Sequence, residues 1–189
     1  MATKKGQSGC DALALKAKSK MSPAQDSAFA FQPQTCILGV EPGLGGALTF
    51  YFPQQGAVSA EDMPVVGGDI DAATLAARIA QMRPDIAVVE LVASRPGQGV
   101  ASVFKFGCGF GMVRGVIAAS GVPLHLVSPA KWKRHFALDS DKEKSRALAL
   151  RLWPGRSDLF GRKKDHGRAE SALLARYAAE RIVNGGGGQ

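Results

Sequence analysis

The stretch CILGVEPGLGGALTFYF, residues 36–52, decides the fold of this chain. Its two apolar runs, 36–40 and 47–52, have the composition of buried strands, and the segment between them is glycine-rich and short. The two strands are therefore predicted to pair as an antiparallel hairpin. Glu41 stands at the end of the first strand, directly before the turn. The hairpin is thus expected to present a carboxylate at the edge of a sheet.

The order of elements after the hairpin predicts an α/β fold with a mixed sheet. Amphipathic periodicity predicts a helix over 71–82, and the apolar run IAVVELV (86–92) predicts a buried strand. A helix over about 103–120 and a strand over 123–127 follow. Because helices separate these later strands, they are expected to pair in parallel, with helices flanking the sheet. The other predicted segments are loop and edge strand over 53–64, loop over 94–101, and helices over 131–136, 142–152 and 167–183.

The chain is predicted to have one folded domain between two irregular ends. Residues 1–34 mix Lys, Ser, Gln, Gly, Ala and Pro without periodicity, which predicts a flexible basic tail. The folded domain is expected over 35–184. The glycine-rich end over 185–189 is predicted to be disordered. With 189 residues, 46% of them hydrophobic, the chain is long enough to bury one sizeable core.

Positive charge is concentrated in the second half of the chain. The net charge is +8, and residues 131–168 hold twelve Lys and Arg against five Asp and Glu, whereas residues 35–130 hold five against seven. A local cationic excess is typical of a surface that binds nucleic acid, and a solubilising surface is the alternative. The candidates for phosphate contact are Lys131, Lys133, Lys142, Arg162, Lys163, Lys164 and Arg168.

The cysteines and the apolar runs bear on compartment. Cys10, Cys36 and Cys108 match no zinc-site spacing, which favours reduced thiols in a reducing compartment. No apolar run approaches the ~20 residues that cross a bilayer, and the N-terminus has no hydrophobic signal core. A cytoplasmic location without membrane contact is therefore expected, and import into an organelle is left open.

Four potential metal ligands lie in distant parts of the sequence. Glu90 falls in the strand over 86–92, and His166 and Glu170 are four residues apart, so they share one face of the last helix. If the strands that carry Glu41 and Glu90 are neighbours, all four side chains can converge at the carboxyl edge of the sheet. Such a cluster repels itself unless cations bind, and carboxylate ligands suit Mg²⁺ or Mn²⁺. Two ions at such a site could activate water and stabilise the leaving oxygen of a phosphodiester. For either strand glutamate alone, an ordinary pair with an arginine is the alternative.

Aromatic residues in the second half of the chain are predicted to be mostly internal. Of Phe104, Phe106 and Phe110, at least two are expected in the core, and an exposed one could stack on an unpaired base. A dimer interface is the alternative, for which the glycine-bearing helix over 107–120 is the candidate. Trp132 stands between Lys131 and Lys133 and is expected to anchor its helix in the core.

Five blocks of this sequence resemble the RuvC-type Holliday junction resolvases of phages, proteobacteria and chloroplasts. They are ILGVEPGLGGALTFY, VVELVASRPGQGVASVFKFGCGFG, SPAKWKRHFAL, DKEKSRALALRLWP and RKKDHGRAESALL, and they follow the family's order over about residues 36–178. The resemblance implies an RNase H-like fold and a homodimer. It also implies symmetrical nicking of four-way junction DNA that depends on Mg²⁺ or Mn²⁺, with two ions per active site and no small-molecule substrate.

The resemblance also assigns roles to individual residues. The family's acid on the first strand falls on Glu41, and its second acid falls on Glu90. The family's last helix supplies His166 and Glu170, and its lysine near the scissile phosphate falls on Lys142. Asp165, next to His166, is a further candidate ligand, and whether His166 binds metal or acts as a base is left open.

Two alternatives to an active nuclease follow from the same motifs. The family has aspartate in the sequence DPG where this chain has Glu41, and a displacement of about 1 Å at a catalytic group can cost on the order of 100-fold in rate. A catalytically impaired junction-binding protein is therefore one alternative. VEPGLGGALTFY also resembles the phosphate-binding hairpin of actin-like ATPases, but those proteins need two such domains and this chain is too short for both.

Overall fold

The computed structural model describes residues 34–93 and 97–183. A five-stranded sheet forms its centre, with the strand order β3-β2-β1-β6-β7, and two short strands pair separately. The strands are β1 (Ile37–Glu41), β2 (Ala47–Phe52), β3 (Ala57–Asp62), β4 (Val65–Val66), β5 (Asp69–Ile70), β6 (Ile86–Glu90) and β7 (Leu124–Val127). The predicted tail, apart from Gln34, and the predicted disordered end lie outside the described residues.

The strand pairing confirms the predicted mixed sheet. Strand β1 pairs antiparallel with β2 as the predicted hairpin, with Gly39 opposite Thr49. On its other side β1 runs parallel to β6, with Gly39 beside Val88, and β6 runs parallel to β7. Strand β3 forms the predicted edge. The small β4–β5 ladder was not predicted, because two-residue strands carry too little periodicity to be recognised.

Six α-helices flank the sheet within the described residues. They are α1 (Ala72–Met82), α2 (Val100–Ala119), α3 (Pro129–His135), α4 (Lys142–Leu152), α5 (Ser157–Phe160) and α6 (His166–Ala178). A single 3₁₀ turn (Lys163–Asp165) precedes α6 and a π-helical turn (Ala179–Val183) follows it. Asp71 caps α1 by accepting hydrogen bonds from two backbone amides. Helix α2 begins inside the segment predicted as loop, and the four-residue α5 was not predicted.

The two faces of the sheet bury separate cores. Alternation along β1 sends Ile37 into the core shared with α4 and α6, and sends Leu38 and Val40 into the core shared with α1 and α2. Helix α6 lies directly on β1, because Gly39 offers no side chain. A Cβ atom at that position would lie 2.2 Å from the carbonyl oxygen of Ser171. The hydroxyls of Thr49 and Ser171 complete this buried contact at 2.7 Å.

Helix α2 leaves most of its apolar surface exposed. Only Val113 and Ile117 are buried along its 20 residues, while Phe104 is 73% exposed. The prediction that at least two of the three phenylalanines belong to the core is wrong, since only Phe110 packs against it. Among the described residues, α2 is the one helix that is long and apolar enough to cross a membrane by length and composition, which the sequence analysis did not predict. The exposed face of α2 therefore needs a different explanation from the helices on the other side of the sheet.

Candidate active site

Glu41 and Glu90 lie side by side at the carboxyl edge of the sheet. Each is the last residue of its strand, and the strands β1 and β6 are parallel neighbours with Val40 paired to Val89. The prediction depended on this adjacency, which the sequence alone could not establish. The edge of a parallel pair is also where α/β sheets commonly bind ligands.

The N-terminal part of α6 adds His166, its first residue, and Glu170, one turn later, to this edge. Gly167 allows the approach: a Cβ atom on it would lie 2.8 Å from Oε2 of Glu41 and 3.1 Å from the carbonyl oxygen of Gly45. Glu170 is only 4% exposed, although it carries a carboxylate. The close packing of α6 on β1 thus brings a third acid to the two acids on the strands.

Lys142, the first residue of α4, lies among these groups. Its Nζ atom is 3.6 Å from Oε1 of Glu41, 4.0 Å from Oε2 of Glu170 and 3.5 Å from Nδ1 of His166. The side chain is 49% exposed, so the ammonium group is also accessible from outside. The structure therefore brings together Glu41, Glu90, Glu170, His166 and Lys142 as the sequence predicted.

Helices α3 and α4 supply hydrogen bonds to the carboxylates of Glu90 and Glu170. The Nζ atom of Lys133 lies 2.8 Å from Oε1 of Glu170, and the buried hydroxyl of Ser145 donates to the same oxygen at 3.3 Å. The indole Nε1 of Trp132 donates to Oε1 of Glu90 at 2.9 Å. Sequence reasoning missed Trp132 and Ser145 as parts of the site. The position of Ser145 three residues after Lys142, on the same face of a helix, was the one available signal.

The electrostatics of the cluster favour a bound cation. Burial, and then the charge of Glu170, raise the pKa of Glu41 to about 7, against the lowering effect of Lys142. Burial also raises the pKa of Glu90, while the hydrogen bond from Trp132 lowers it. Ionisation of Glu41 and Glu90 is therefore costly, and additional positive charge close to them would favour it.

An unpartnered oxygen indicates where a cation would be held. Oε2 of Glu41 is the one buried side-chain oxygen or nitrogen without a hydrogen-bond partner within residues 34–93 and 97–183. In the arrangement described, no three His, Cys, Asp or Glu side chains of those residues are close enough to form a complete metal site. The all-oxygen set of Glu41, Glu90 and Glu170 nevertheless matches the ligand preference of Mg²⁺ and Mn²⁺, with lysine ammonium groups beside these carboxylates.

Several other predicted site residues are engaged in ion pairs outside the cluster. Both carboxylate oxygens of Asp165 accept hydrogen bonds from Arg162, which fixes the entry to α6. The guanidinium of Arg168 makes two hydrogen bonds to Asp62. These contacts give Asp165 a structural role, and a metal-binding role for it stays a prediction.

The remaining predicted cations differ in their availability. Lys133 is partly buried in its pair with Glu170, so its ammonium group is directed to the site rather than outward. Lys131, Lys163 and Lys164 are exposed and form no ion pair within the described part of the chain. These three can reach a phosphate without breaking an existing contact.

Comparison with known proteins places this geometry in a known architecture. The structure of RuvC from T. thermophilus superposes with a TM-score of 0.51 and 19% identity, over 80% of this chain and 97% of that one. A second T. thermophilus RuvC structure, in complex with a Holliday junction substrate, gives a TM-score of 0.53 at 16% identity with the same coverage. The chain has a RuvC-like fold. The fold class predicted from the sequence is confirmed.

A sequence comparison agrees with this RuvC-like architecture. Over 92 residues, 48% of its length, the chain is 30% identical to the chloroplastic Holliday junction resolvase MOC1 of Chlamydomonas reinhardtii. The matched region spans only 10% of that relative. No protein-family model matches the chain. The predicted resemblance to RuvC-type resolvases is therefore confirmed by sequence similarity and by fold.

Proposed function

We propose that this protein is a metal-dependent endonuclease that nicks four-way DNA junctions symmetrically. The observation that carries the proposal is the convergence of Glu41, Glu90 and Glu170 at one sheet edge in a RuvC-like fold. The similar RuvC from T. thermophilus is described in complex with a Holliday junction substrate, and the similar MOC1 of Chlamydomonas reinhardtii is named a Holliday junction resolvase. The local excess of positive charge adds support, because a phosphodiester substrate is a polyanion.

In this proposal each side chain of the cluster has a chemical task. Glu41, Glu90 and Glu170 hold Mg²⁺ or Mn²⁺, two ions per site, which supply positive charge for phosphodiester hydrolysis. Lys142 approaches a non-bridging oxygen of the scissile phosphate, since its ammonium group is half-exposed beside the acids. His166, which lies next to Lys142, accepts a proton from the attacking water or completes the ligand set.

The DNA would extend over the exposed lysines beside the site. Lys163 and Lys164 lie in the 3₁₀ turn directly before α6, and Lys131 lies on α3 near Trp132 and Lys133. Contacts of this kind position the backbone and contribute little sequence selectivity. We therefore expect recognition of junction shape to come from the relative placement of two active sites.

We also propose that the protein acts as a homodimer through α2. An open junction has twofold symmetry, so two matching nicks require two active sites related by the same symmetry. The exposed apolar side of α2 borders a groove of about 710 Å³ that includes Leu44, Ile70, Phe106 and Met112. Burial of this groove by a second copy would remove apolar area from water. We place the dimer in a compartment that contains DNA, either the cytoplasm or an organelle.

A junction-binding protein without nuclease activity is the second candidate. It is favoured by Glu41, whose pKa of about 7 leaves part of the population protonated at neutral pH and therefore weak as a ligand. The longer glutamate side chain also replaces the aspartate typical of similar sequences. Metal binding would have to overcome both effects for hydrolysis to proceed.

Cleavage of a synthetic four-way junction decides between these candidates. The protein is incubated with Mg²⁺ or Mn²⁺ and either the junction or a linear duplex that carries one of its arm sequences. A nuclease should produce paired nicks at matching positions of two opposed strands and leave the duplex intact. Junction binding without nicks, unchanged in the Glu41→Asp variant, would support the binding protein. Equal cutting of the linear duplex would show that the enzyme does not select junctions.

A further inference from the structure

Trp132 is a buried indole whose one polar atom faces the acidic cluster. It is 1% exposed, and its Nε1 donates to Oε1 of Glu90 at 2.9 Å. We propose that Trp132 is a positioning residue that fixes the carboxylate of Glu90 for cation binding. This role rests on the proposed metal site, and it assigns to a core residue a function beyond packing.

The chemistry of indole suits this task. Its N–H is a donor and never an acceptor, so it can hold only one kind of partner. Because the ring of Trp132 is enclosed by the core, the direction of the N–H bond is fixed before any ion arrives. Within the described residues Oε1 of Glu90 receives this bond, which leaves Oε2 for another ligand. Residues that hydrogen-bond to metal ligands and orient them commonly affect the metal affinity of the site.

The neighbouring residue extends the same arrangement to a second acid. Lys133 follows Trp132 on α3, and its Nζ atom lies 2.8 Å from Oε1 of Glu170. The same ammonium group lies over the Trp132 ring, 5.1 Å from the ring centroid, in a cation–π contact. Helix α3 therefore presents adjacent donors to two carboxylates that come from different elements. Loss of the indole donor would release one of them.

Trp153 provides a matched control within the same chain. It is 5% exposed, belongs to the same core as Trp132, and donates from its indole Nε1 to the carbonyl oxygen of Gly56 at 3.0 Å. The two tryptophans thus share burial and one hydrogen bond, and they differ in the acceptor. A purely structural role for Trp132 predicts that the two positions respond alike to phenylalanine.

Mn²⁺ affinity of the full chain without DNA is the readout, measured by isothermal titration calorimetry. Trp132→Phe should bind Mn²⁺ at least about tenfold more weakly than wild type. Trp153→Phe should keep the wild-type affinity, although both variants lose thermal stability. Wild-type Mn²⁺ affinity in Trp132→Phe would overturn the positioning role alone. Absence of Mn²⁺ binding to the wild-type protein would overturn the proposed metal site together with it.

A double-mutant cycle tests whether Trp132 acts through Glu90. In the Glu90→Gln background, Trp132→Phe should cause no further loss of Mn²⁺ affinity, because the oriented carboxylate is already gone. A further loss of Mn²⁺ affinity equal to that in the wild-type background would overturn the proposal that Trp132 acts through Glu90.

An isosteric replacement separates the hydrogen bond from packing. Replacement of Trp132 by β-(3-benzothienyl)alanine keeps the fused ring and removes the donor, so the protein stays folded even if Trp132→Phe does not. The same tenfold loss of Mn²⁺ affinity is expected, with a thermal midpoint near that of wild type. Unchanged affinity in this variant would overturn the proposal.

Discussion

Helices α6 and α2 cover opposite faces of one sheet and use their residues in opposite ways. Ten of the 13 residues of α6 are buried, including the charged Glu170. Two of the 20 residues of α2 are buried, and large apolar side chains such as Phe104 remain exposed. One helix buries a charge inside the protein, whereas the other exposes an apolar face to the surroundings.

Both features cost free energy in the isolated chain, which indicates what each helix lacks. A buried carboxylate is tolerated when cations and donors surround it, and Lys133, Lys142 and Ser145 do so for Glu170. An exposed apolar face is relieved when another surface covers it. In the function that we propose, an ion and DNA would complete the α6 side, and a second copy of the protein would cover the α2 side.

The largest effect is expected from neutralising the buried charge of α6. Glu170→Gln should lower the rate of junction nicking by about 1,000-fold, because a charged group that stabilises the reaction is removed. Junction binding should persist, since the exposed lysines are unchanged. Single-turnover nicking and gel mobility measure the two properties.

Glu180→Gln is the control for this variant. Glu180 is ten residues further along, in the π-helical turn, where it pairs with His135 and Arg176. The Glu180→Gln variant should nick four-way junctions at the wild-type rate. Wild-type nicking by Glu170→Gln would remove Glu170 from the site.

Replacement of glycine by alanine should change stability in opposite directions beneath α6 and on α2. Gly39→Ala places a Cβ atom 2.2 Å from the backbone oxygen of Ser171 beneath α6, so the stability should fall by about 3 kcal/mol. Gly115→Ala on α2 meets no atom within 4 Å and should raise stability by up to about 1 kcal/mol through helix propensity. Denaturant unfolding measures both, and equal destabilisation would contradict the difference between the two helices.

A charge on the exposed face of α2 should disrupt the dimer. Phe104→Asp is expected to weaken self-association by roughly 30-fold, the effect of losing an interface residue worth about 2 kcal/mol. Its monomer should stay folded, because Phe104 is 73% exposed. Sedimentation velocity over a range of concentrations tests this prediction. Val183→Asp, at a position 40% exposed in the π-helical turn after α6, is the control. A monomeric wild-type protein would refute the role of α2.

The pH dependence of stability should report the acid beside α6. Because the pKa of Glu41 is raised from 4.5 to about 7, the folded protein binds its proton more tightly than the unfolded chain does. Stability without metal should therefore fall as the pH rises from 4.5 to 7. Glu41→Gln should lack this contribution and gain about 1 kcal/mol over wild type at pH 8, allowing for screening by solvent. Thermal melts in the presence of a chelator measure the stability of both proteins. The same stability difference between Glu41→Gln and wild type at pH 4.5 and at pH 8 would contradict this prediction.

The sequence predicted the sheet and the acids, but not the side chains that hold those acids. The hairpin and the buried strand of Glu90 were visible as apolar runs, and the spacing of His166 and Glu170 showed their shared helix face. The partnership of Trp132 with Glu90 joins residues 42 positions apart, and local periodicity carries no information about such a contact. A buried indole has the same pattern whether its N–H meets a carboxylate or a backbone oxygen.

The exposed side of α2 was misjudged for a related reason. Phenylalanine in an apolar segment predicts burial, and the sequence does not show whether the burying surface belongs to the same chain. At least two of the three phenylalanines of α2 were therefore expected in the core, although Phe104 is 73% exposed and Phe106 is 38% exposed. The prediction of a loop over 94–101 is wrong at its C-terminal end. Helix α2 begins directly after Gly99, and no side-chain cap marks that start.

A crystal structure of the protein with Mn²⁺ is the most direct test of the central claim. Anomalous scattering at the manganese edge locates the ion independently of any assumption about its ligands. We predict a peak bounded by the carboxylates of Glu41, Glu90 and Glu170, with Lys142 displaced from its present distance of 3.6 Å to Glu41. Saturating Mn²⁺ with no peak between these three acids would contradict it.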